Sequence, residues 1–260
     1  MFEFHADRKR YFEIQHLNAA QYVVPFIEKK FAIKPGMRVL EIGCGEGGVM
    51  KAFTEKDCVC VGVEFDKVRI DWGNELLKEE VTAGKIKFIS KDIYEVDAEK
   101  ELGGAFDIII LKDVIEHIHD QKKLIAWMKT MLNKNGVIFF GFPPWQMPFG
   151  GHQQICKSKI ARLPYLHLLP KGIYRGILKN RKENVDEMME IRETKISIEK
   201  FQHICKQTGY EIVNKQFYFL NPIYQWKFGW KPRKQIGLIS SIPWVRNFFT
   251  TCVYYLIKVK

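Results

Sequence analysis

Apolar positions fall into two alternating rhythms along the first 145 residues. Over 11–32 they recur at helical spacing, with Tyr11, Ile14, Leu17, Val23, Val24, Ile27 and Phe31 on one stripe. Lys34-Pro35-Gly36 then marks a turn. Met37–Ile42 is a short apolar run that ends in glycines and reads as a buried parallel strand. Further strands are expected at Val59–Glu64, Ile86–Ser90, Phe106–Leu111 and Val137–Phe142. Helices are expected between them at Gly47 to about Lys56, Lys67–Glu80 and Ile118–Leu132, the last stopping at Asn135-Gly136. Strands alternating with helices in this way predict a doubly wound, mostly parallel sheet in an α/β fold.

After Pro143-Pro144 the rhythm breaks. Residues 145–192 mix Gly, Pro, basic and aromatic positions with short helical stretches, as a lid inserted into the fold would. A helix follows at Ser197–Gln207, striped by Ile198, Phe201, Ile204 and Cys205, and Gly209 closes it. Long strands are expected at Tyr210–Leu220 and Cys252–Val259, separated by an aromatic and basic insert.

Composition adds little: 47% apolar and 27% charged residues are ordinary for a globular chain. At 260 residues the chain can bury one large core, and a single domain over 1–260 is expected. The stretch MFEFHADRKRYFEI lacks a signal-type apolar run, and the six cysteines form no CxxC pair. Buried free thiols in a reducing cytoplasm are expected, without zinc or disulfides.

Charge changes the picture more, through its distribution. Residues 1–152 carry a balance of −2, 153–182 carry +8 with no acid, 183–211 carry −3, and 212–260 carry +8 with no acid. The whole excess of +11 therefore sits in the lid and the C-terminal segment, and it concerns what they meet. Tyr224, Trp226, Phe228, Trp230, Trp244, Phe248 and Phe249 interleave with these cations, which suits an anionic membrane surface or a lipid-like acceptor. Nucleic acid is the weaker reading, because no recognisable binding module accompanies the charge. A membrane span over 236–257 is opposed by Pro243, Arg246 and Asn247.

The densest chemical signal is Val39-Leu40-Glu41-Ile42-Gly43-Cys44-Gly45-Glu46-Gly47-Gly48. Glycines at the carboxyl end of a first strand let the backbone approach a nucleotide. The spacing fits both GxGxG and the dinucleotide GxGxxG, and Glu64 at the end of the second strand could hold a ribose in either case. Three features favour S-adenosylmethionine (SAM). Glu41 and Glu46 would repel a pyrophosphate but suit a cationic, phosphate-free ligand. Asp92, just past the third strand, can accept an adenine amine. Two long strands close the chain after the parallel unit.

With these residues in view, the sequence resembles the class I SAM-dependent methyltransferases. It is similar to the ubiquinone-biosynthesis methyltransferases among the small-molecule types. VLEIGCGEGG, VGVEFD, KDI, FDIIILKDVIEHI and LNKNGVIFFGFPP follow in that family's order over roughly 35–145, with a weaker match over 194–220. The resemblance implies a Rossmann-like, seven-stranded, mostly parallel sheet with an antiparallel last strand. It also implies a SAM-binding core (35–145), a lid over the acceptor (145–192), and C-terminal elements (193–260) carrying the insert at 221–251.

By the same resemblance, Glu41, Gly43, Cys44 and Gly45 line the methionine half of SAM. Glu64 holds the ribose hydroxyls with Phe65 beside it, and Asp92 and Ile93 meet adenine. Lys112 offers its backbone carbonyl to the ammonium, although the family usually has a small or polar residue there. The expected reaction is methyl transfer to a small-molecule, lipid-linked or saccharide acceptor, at oxygen by analogy with the family.

Transfer from a sulfonium requires alignment first, and a base only when the acceptor must lose a proton. His152 in the glycine-flanked loop after the fifth strand is the leading candidate for base or orienter. Asp113 and His117, at i and i+4, could face each other after the fourth strand, and His119 reads as a surface residue. No metal is required by this chemistry, and no residue spacing marks a metal cluster. A nicotinamide-dependent oxidoreductase and a non-catalytic SAM-binding scaffold are the alternatives.

Overall fold

A computed structural model describes residues 7–260. The chain opens with α1 (Arg8–Asn18), capped by Asp7, whose carboxylate accepts the Arg10 N–H. The helix continues through a π segment at Ala19–Val23 into α2 (Val24–Glu28). Pro25 has no N–H to donate into the helical ladder, and the wider turn immediately before it re-registers the helix.

The parallel unit then runs β1 (Arg38–Ile42), α3 (Gly48–Thr54), β2 (Val59–Glu64), α4 (Lys67–Leu76), α5 (Lys78–Thr82), β3 (Ile86–Ser90), β4 (Phe106–Lys112), α6 (Gln121–Trp127) and β5 (Leu132–Phe142). The lid carries α7 (Lys171–Asn180) and α8 (Val185–Thr194). The chain ends with α9 (Ile198–Gln207), β6 (Tyr210–Leu220), α10 (Tyr224–Phe228), β7 (Arg233–Lys234), α11 (Gly237–Ser241), α12 (Val245–Phe248) and β8 (Cys252–Val259).

All strands join one sheet in the order β3-β2-β1-β4-β5-β8-β6-β7. The first five are parallel, and β8 lies antiparallel between β5 and β6, as the resemblance implied. Among the described residues the sheet has eight strands rather than seven. The addition is the two-residue β7, which pairs through backbone with Tyr218 and Leu220 at the edge and has no apolar alternation to mark it.

The central strands are buried on both faces, which explains why Ile108–Leu111 reads as an unbroken apolar run. Helices cover each face. Leu124, Ile125, Phe201 and Ile204 pack on one side, and Val23, Ile27, Met50 and Phe53 on the other. All six cysteines are free and buried, as their apolar settings suggested.

Two element boundaries depart from the expected ones. The helix expected to reach Leu132 gives way to a 3-10 turn at Met128–Met131, and β5 has begun by Leu132. Pairing with β4 extends this segment: Leu132 faces Phe106, and Asn133 donates to Asp107 at 2.7 Å. Asn135-Gly136 therefore lies within a strand. The helix expected over Lys67–Glu80 divides at Leu77, whose buried side chain leaves helical geometry (φ −116°, ψ 29°).

The lid has a small core of its own, in which Trp145, Tyr174, Leu178, Met188 and Ile191 pack together. His167 is buried there between the Trp145 carbonyl (2.7 Å) and Gln153 (2.8 Å). Among the described residues, no helix is long and apolar enough to cross a membrane.

Candidate functional site

The carboxyl edge of β1, β2 and β4 forms the floor of a cavity, and α1 forms its roof. Tyr11, Phe12 and Gln15 line it from above, with Glu41, Gly43, Cys44, Glu46, Arg69, Lys112 and Asp113 around the remainder. The glycines are required by this geometry. Gly43 has φ +71°, and a Cβ there would fall 2.5 Å from Val114 Cγ2. Gly45 has φ +55°, and a side chain there would strike the Arg69 guanidinium. Cys44 is buried, its sulfur packed against Gly62, so its role here is that of a small residue that fits.

The cavity holds an uneven set of charges. Glu41 is buried at the end of β1, and its Oε2 has no hydrogen-bond partner. Burial lifts its pKa to about 8, against the pull of Lys112 and Arg69. Glu64 is fully engaged: Oε2 accepts the Gly45 N–H at 3.0 Å and Oε1 the Asp66 N–H at 3.1 Å. Glu46 accepts from Arg8 at 2.6 Å and from Arg69 at 3.0 and 3.2 Å. Its pKa is lowered because these guanidinium contacts outweigh burial. Arg69 thus lies across the glycine loop, held by Glu46 and 3.7 Å from Glu64.

Lys112 projects its side chain into the same cavity. Its Nζ donates to Gln15 Oε1 at 3.0 Å and to Asp113 Oδ2 at 2.6 Å. Burial opposes the lysine's charge, but Asp113 outweighs it and the pKa rises. Asp113 answers in kind: burial raises it, Lys112 outweighs burial, and the carboxyl stays ionised.

The remaining residues expected to meet the nucleoside sit at the strand ends. Phe65 is 80% exposed just past Glu64. Asp92 accepts the Tyr94 N–H at 2.9 Å and so caps a short 3-10 turn, which begins at the buried Ile93.

Beyond Asp113 lies a second group. The expected i, i+4 pairing of Asp113 with His117 does not form in the structure. Asp113 turns at φ +57° onto Lys112, and residues 115–117 wind as a 3-10 turn, so His117 meets His152 instead. The two imidazoles lie edge to face with centroids 5.0 Å apart. Burial lowers the pKa of both, to about 4 for His152, which favours the neutral rings. His152 stands at φ +55°, a conformation its glycine neighbours help the loop to reach.

Glu116 adjoins the pair. Its buried Oε2 has no partner, and burial holds its pKa far above the usual carboxylate range. Glu116, His117 and His152 each present a ligand atom, all within 4.8 Å of one another. That grouping could receive a divalent cation, and the 34 residues between His117 and His152 hid it from a reading of spacing. The lid fixes it from behind: Thr194 donates to the Glu116 carbonyl at 2.6 Å, and Gln121 bridges the carbonyls of Ile115 and Thr194. His119 lies outside, 3.7 Å from Glu190 on the surface.

Tyr11, Gln15, Arg69 and Lys227 are site residues that the sequence did not single out. Lys227 of α10 lies 5.5 Å from the Tyr11 ring centroid. Burial brings its pKa down to about 8, while Asp113 partly restores it. In the sequence Tyr11 reads only as one member of an apolar helical stripe. Nothing in local spacing announces that α1 and α10 fold back over the same sheet edge.

The methyltransferase-domain family matches residues 14–215 of this chain. The chain is 24% identical over 152 residues to the ubiquinone biosynthesis O-methyltransferase of Pasteurella multocida (strain Pm70), an alignment covering 54% of the chain and 57% of that relative. It is 25% identical over 195 residues to the enzyme of the same name from Rhizobium etli, covering 74% and 67%. The chain thus matches little more than half to two thirds of these relatives' length.

Among solved structures, the plantazolicin methyltransferase BpumL in complex with SAH superposes with a TM-score of 0.61 at 13% identity, covering 99% of this chain and 90% of that one. Magnesium protoporphyrin IX methyltransferase from Synechocystis PCC 6803, with bound SAH, gives 0.57 at 13% identity, covering 100% and 89%. The sheet order, the glycine loop and these matches agree: the chain belongs to the methyltransferase-domain family and has the Rossmann-like fold of the class I, SAM-dependent methyltransferases.

Proposed function

We propose that this protein transfers the methyl group of SAM to an oxygen of a small or lipid-like acceptor that approaches beneath the lid. The observation that carries the reading is that one residue, Asp113, joins the glycine-loop cavity to the histidine group. Asp113 closes the glycine-loop cavity through Lys112, and its turn leads directly into the His117–His152 group. A donor held on one side therefore faces an acceptor held on the other, which is the arrangement displacement requires.

The donor cavity suits SAM on an observation independent of family likeness. Glu41 Oε2 is a buried acceptor without a donor, placed where an ammonium would satisfy it. Glu41, Gly43 and Gly45 would hold the methionine half, with the Lys112 carbonyl as a second acceptor. Glu64 would exchange its contacts with the loop for the ribose hydroxyls, with Phe65 over the outer face. Asp92 and Ile93 would flank adenine. Arg69, which Glu46 holds across the glycine loop, must swing aside for this to happen.

Bound SAM supplies an activated methyl group on a sulfur that leaves as a neutral thioether. The protein's share is to orient the attacking oxygen and to receive its proton. His152, neutral and adjoining His117, can accept that proton, and the ionised Asp113 offsets the imidazolium that forms. Labelled SAM incubated with fractionated lipid and small-molecule extracts, followed by identification of the labelled product, tests the reaction. Label found on nitrogen or carbon, or on no product, would remove the oxygen assignment.

Glu116 favours a second reading of the acceptor side. A divalent cation held by Glu116, His117 and His152 would polarise the acceptor oxygen and lower its pKa, in place of proton transfer to His152. Calorimetric titration with manganese separates the two. Saturable binding that Glu116→Gln abolishes supports the ion, and no binding supports the base.

The two acid-free, basic segments both follow His152 in sequence, and an anionic membrane surface is the environment they suit best.

A further inference from the structure

The segment 236–249 is folded with its polarity reversed. Its apolar side chains point to solvent: Leu238 is 73% exposed, Trp244 62%, Ile236 59%, and Ile242, Val245 and Phe249 about 42% each. Its two largest polar side chains, Arg246 and Asn247, are by contrast buried. Glu199 at the start of α9 organises the inner side. It accepts from Arg246 Nε at 2.9 Å, from Asn247 Nδ2 and from the Trp244 N–H at 3.0 Å. Asn247 Oδ1 in turn accepts the Ile198 N–H at 2.9 Å. The staple holds Trp244 at φ +66°, a conformation bulky residues seldom adopt.

An exposed contiguous apolar segment of this kind marks a contact surface. We infer that 236–249 is a docking wedge that inserts its apolar tips into an anionic bilayer and lies on the membrane without crossing it. The inference rests on the lipid-side reading above and names the element that makes the contact.

Charge selects this occupant. Lys231, Arg233 and Lys234 stand exposed immediately before the wedge, and no acidic residue occurs anywhere in 212–260. Lipid headgroups of negative charge complement that pattern, while the apolar tips take the acyl boundary. The lid continues the surface. Tyr165 donates to the Phe248 carbonyl at 3.1 Å, and the neighbouring Ile160 and Leu163 are exposed among Lys157, Lys159 and Arg162, which are exposed too. Through Gln153, which donates to the carbonyls of Pro148 and Leu163, the same lid segment joins the loop that carries His152. Docking at the wedge would bring the bilayer to the acceptor side of the site.

Co-sedimentation with vesicles of phosphatidylcholine containing about 30% phosphatidylglycerol tests the wedge. The wild-type protein is expected to bind these vesicles and to release as salt rises. Leu238→Ser/Trp244→Ser is expected to weaken partitioning about 100-fold, with its melting temperature within about 2 °C of wild type because both side chains are exposed. Lys231→Gln/Arg233→Gln/Lys234→Gln is expected to lose the preference for anionic over pure phosphatidylcholine vesicles.

The inference falls if the wild type stays in the supernatant, if the double variant binds as tightly as wild type, or if the triple variant keeps its anionic preference. It also falls if lipid-free sedimentation finds a dimer that the double variant dissociates, since the face would then be occupied by a second copy. SAM titrations on the same preparations keep the outcomes apart. Vesicle binding without SAM binding would end the methyltransferase reading alone, and SAM binding without vesicle binding would end only the wedge.

Discussion

The two halves of the site are built on opposite plans. The proposed donor half is centred on one short stretch of chain, β1 and its glycine loop, with single residues added from α1, α4 and β4, and is supported by strands buried on both faces. The proposed acceptor half is gathered from Asp113 to His117, from His152 and from Lys227, on irregular backbone held by the lid and by α10. A ligand common to a whole fold class can be met by fixed backbone at a strand edge. An acceptor peculiar to one enzyme is met by side chains on loops that can change without disturbing the sheet. The difference implies that the halves can be damaged separately.

The largest effect is expected at the fixed half. Gly43→Val places a branched side chain where even a Cβ crowds Val114, at φ +71°. SAM affinity should fall about 1,000-fold or become unmeasurable by calorimetry, because both the turn and the ligand's space are lost. Near-normal SAM binding by this variant would break the comparison at its donor end. Next comes His152→Ala, expected to lower turnover about 100-fold while the SAM dissociation constant stays within about twofold. If affinity falls in step with turnover, the halves are not separable and His152 belongs to the donor side.

Lys227→Met sharpens the acceptor end. It should raise the acceptor KM about tenfold with little change in SAM affinity, as expected of a cation that reaches the site from α10 alone. The smallest effect is expected from Thr194→Val, which removes the hydrogen bond to the Glu116 carbonyl. It should cost about 1 kcal/mol of stability by thermal unfolding, with a loss of turnover of only a few-fold.

The same contrast governs what the sequence could tell. Glu41, the glycines and Glu64 stand out in the sequence because a strand and a glycine turn are adjacent and carboxylates recur at strand ends, and the structure brings them to one sheet edge. The parallel sheet was legible because strands buried on both faces are apolar throughout. Asp113 and His117 were singled out, but their expected pairing assumed an α-helix where the chain makes a 3-10 turn. Tyr11, Gln15 and Lys227 were not found, since only the docking of α1 and α10 brings them to the cavity. Lys112 was expected to act through its carbonyl alone, yet its ammonium lies inside the cavity on Gln15 and Asp113. The edge strand β7 and the early start of β5 come from pairing with a neighbour, which no local pattern records.

In the proposed mode of binding, Glu41 waits as a buried acceptor for the cationic end of SAM. In the free protein its pKa is about 8, so it is largely protonated at pH 7. An ammonium beside it favours the carboxylate, so binding must release a proton, and this contribution to affinity must grow as pH rises toward about 8, where the ligand's own amino group begins to lose its charge. Calorimetry of SAM binding to wild type and Glu41→Gln, across pH 6 to 9 in buffers of different ionisation enthalpy, measures this directly. The expected result is proton release near pH 7 by the wild type and its absence in the variant, which should bind more weakly above pH 8. Equal affinity and equal proton exchange in the two proteins would contradict the account.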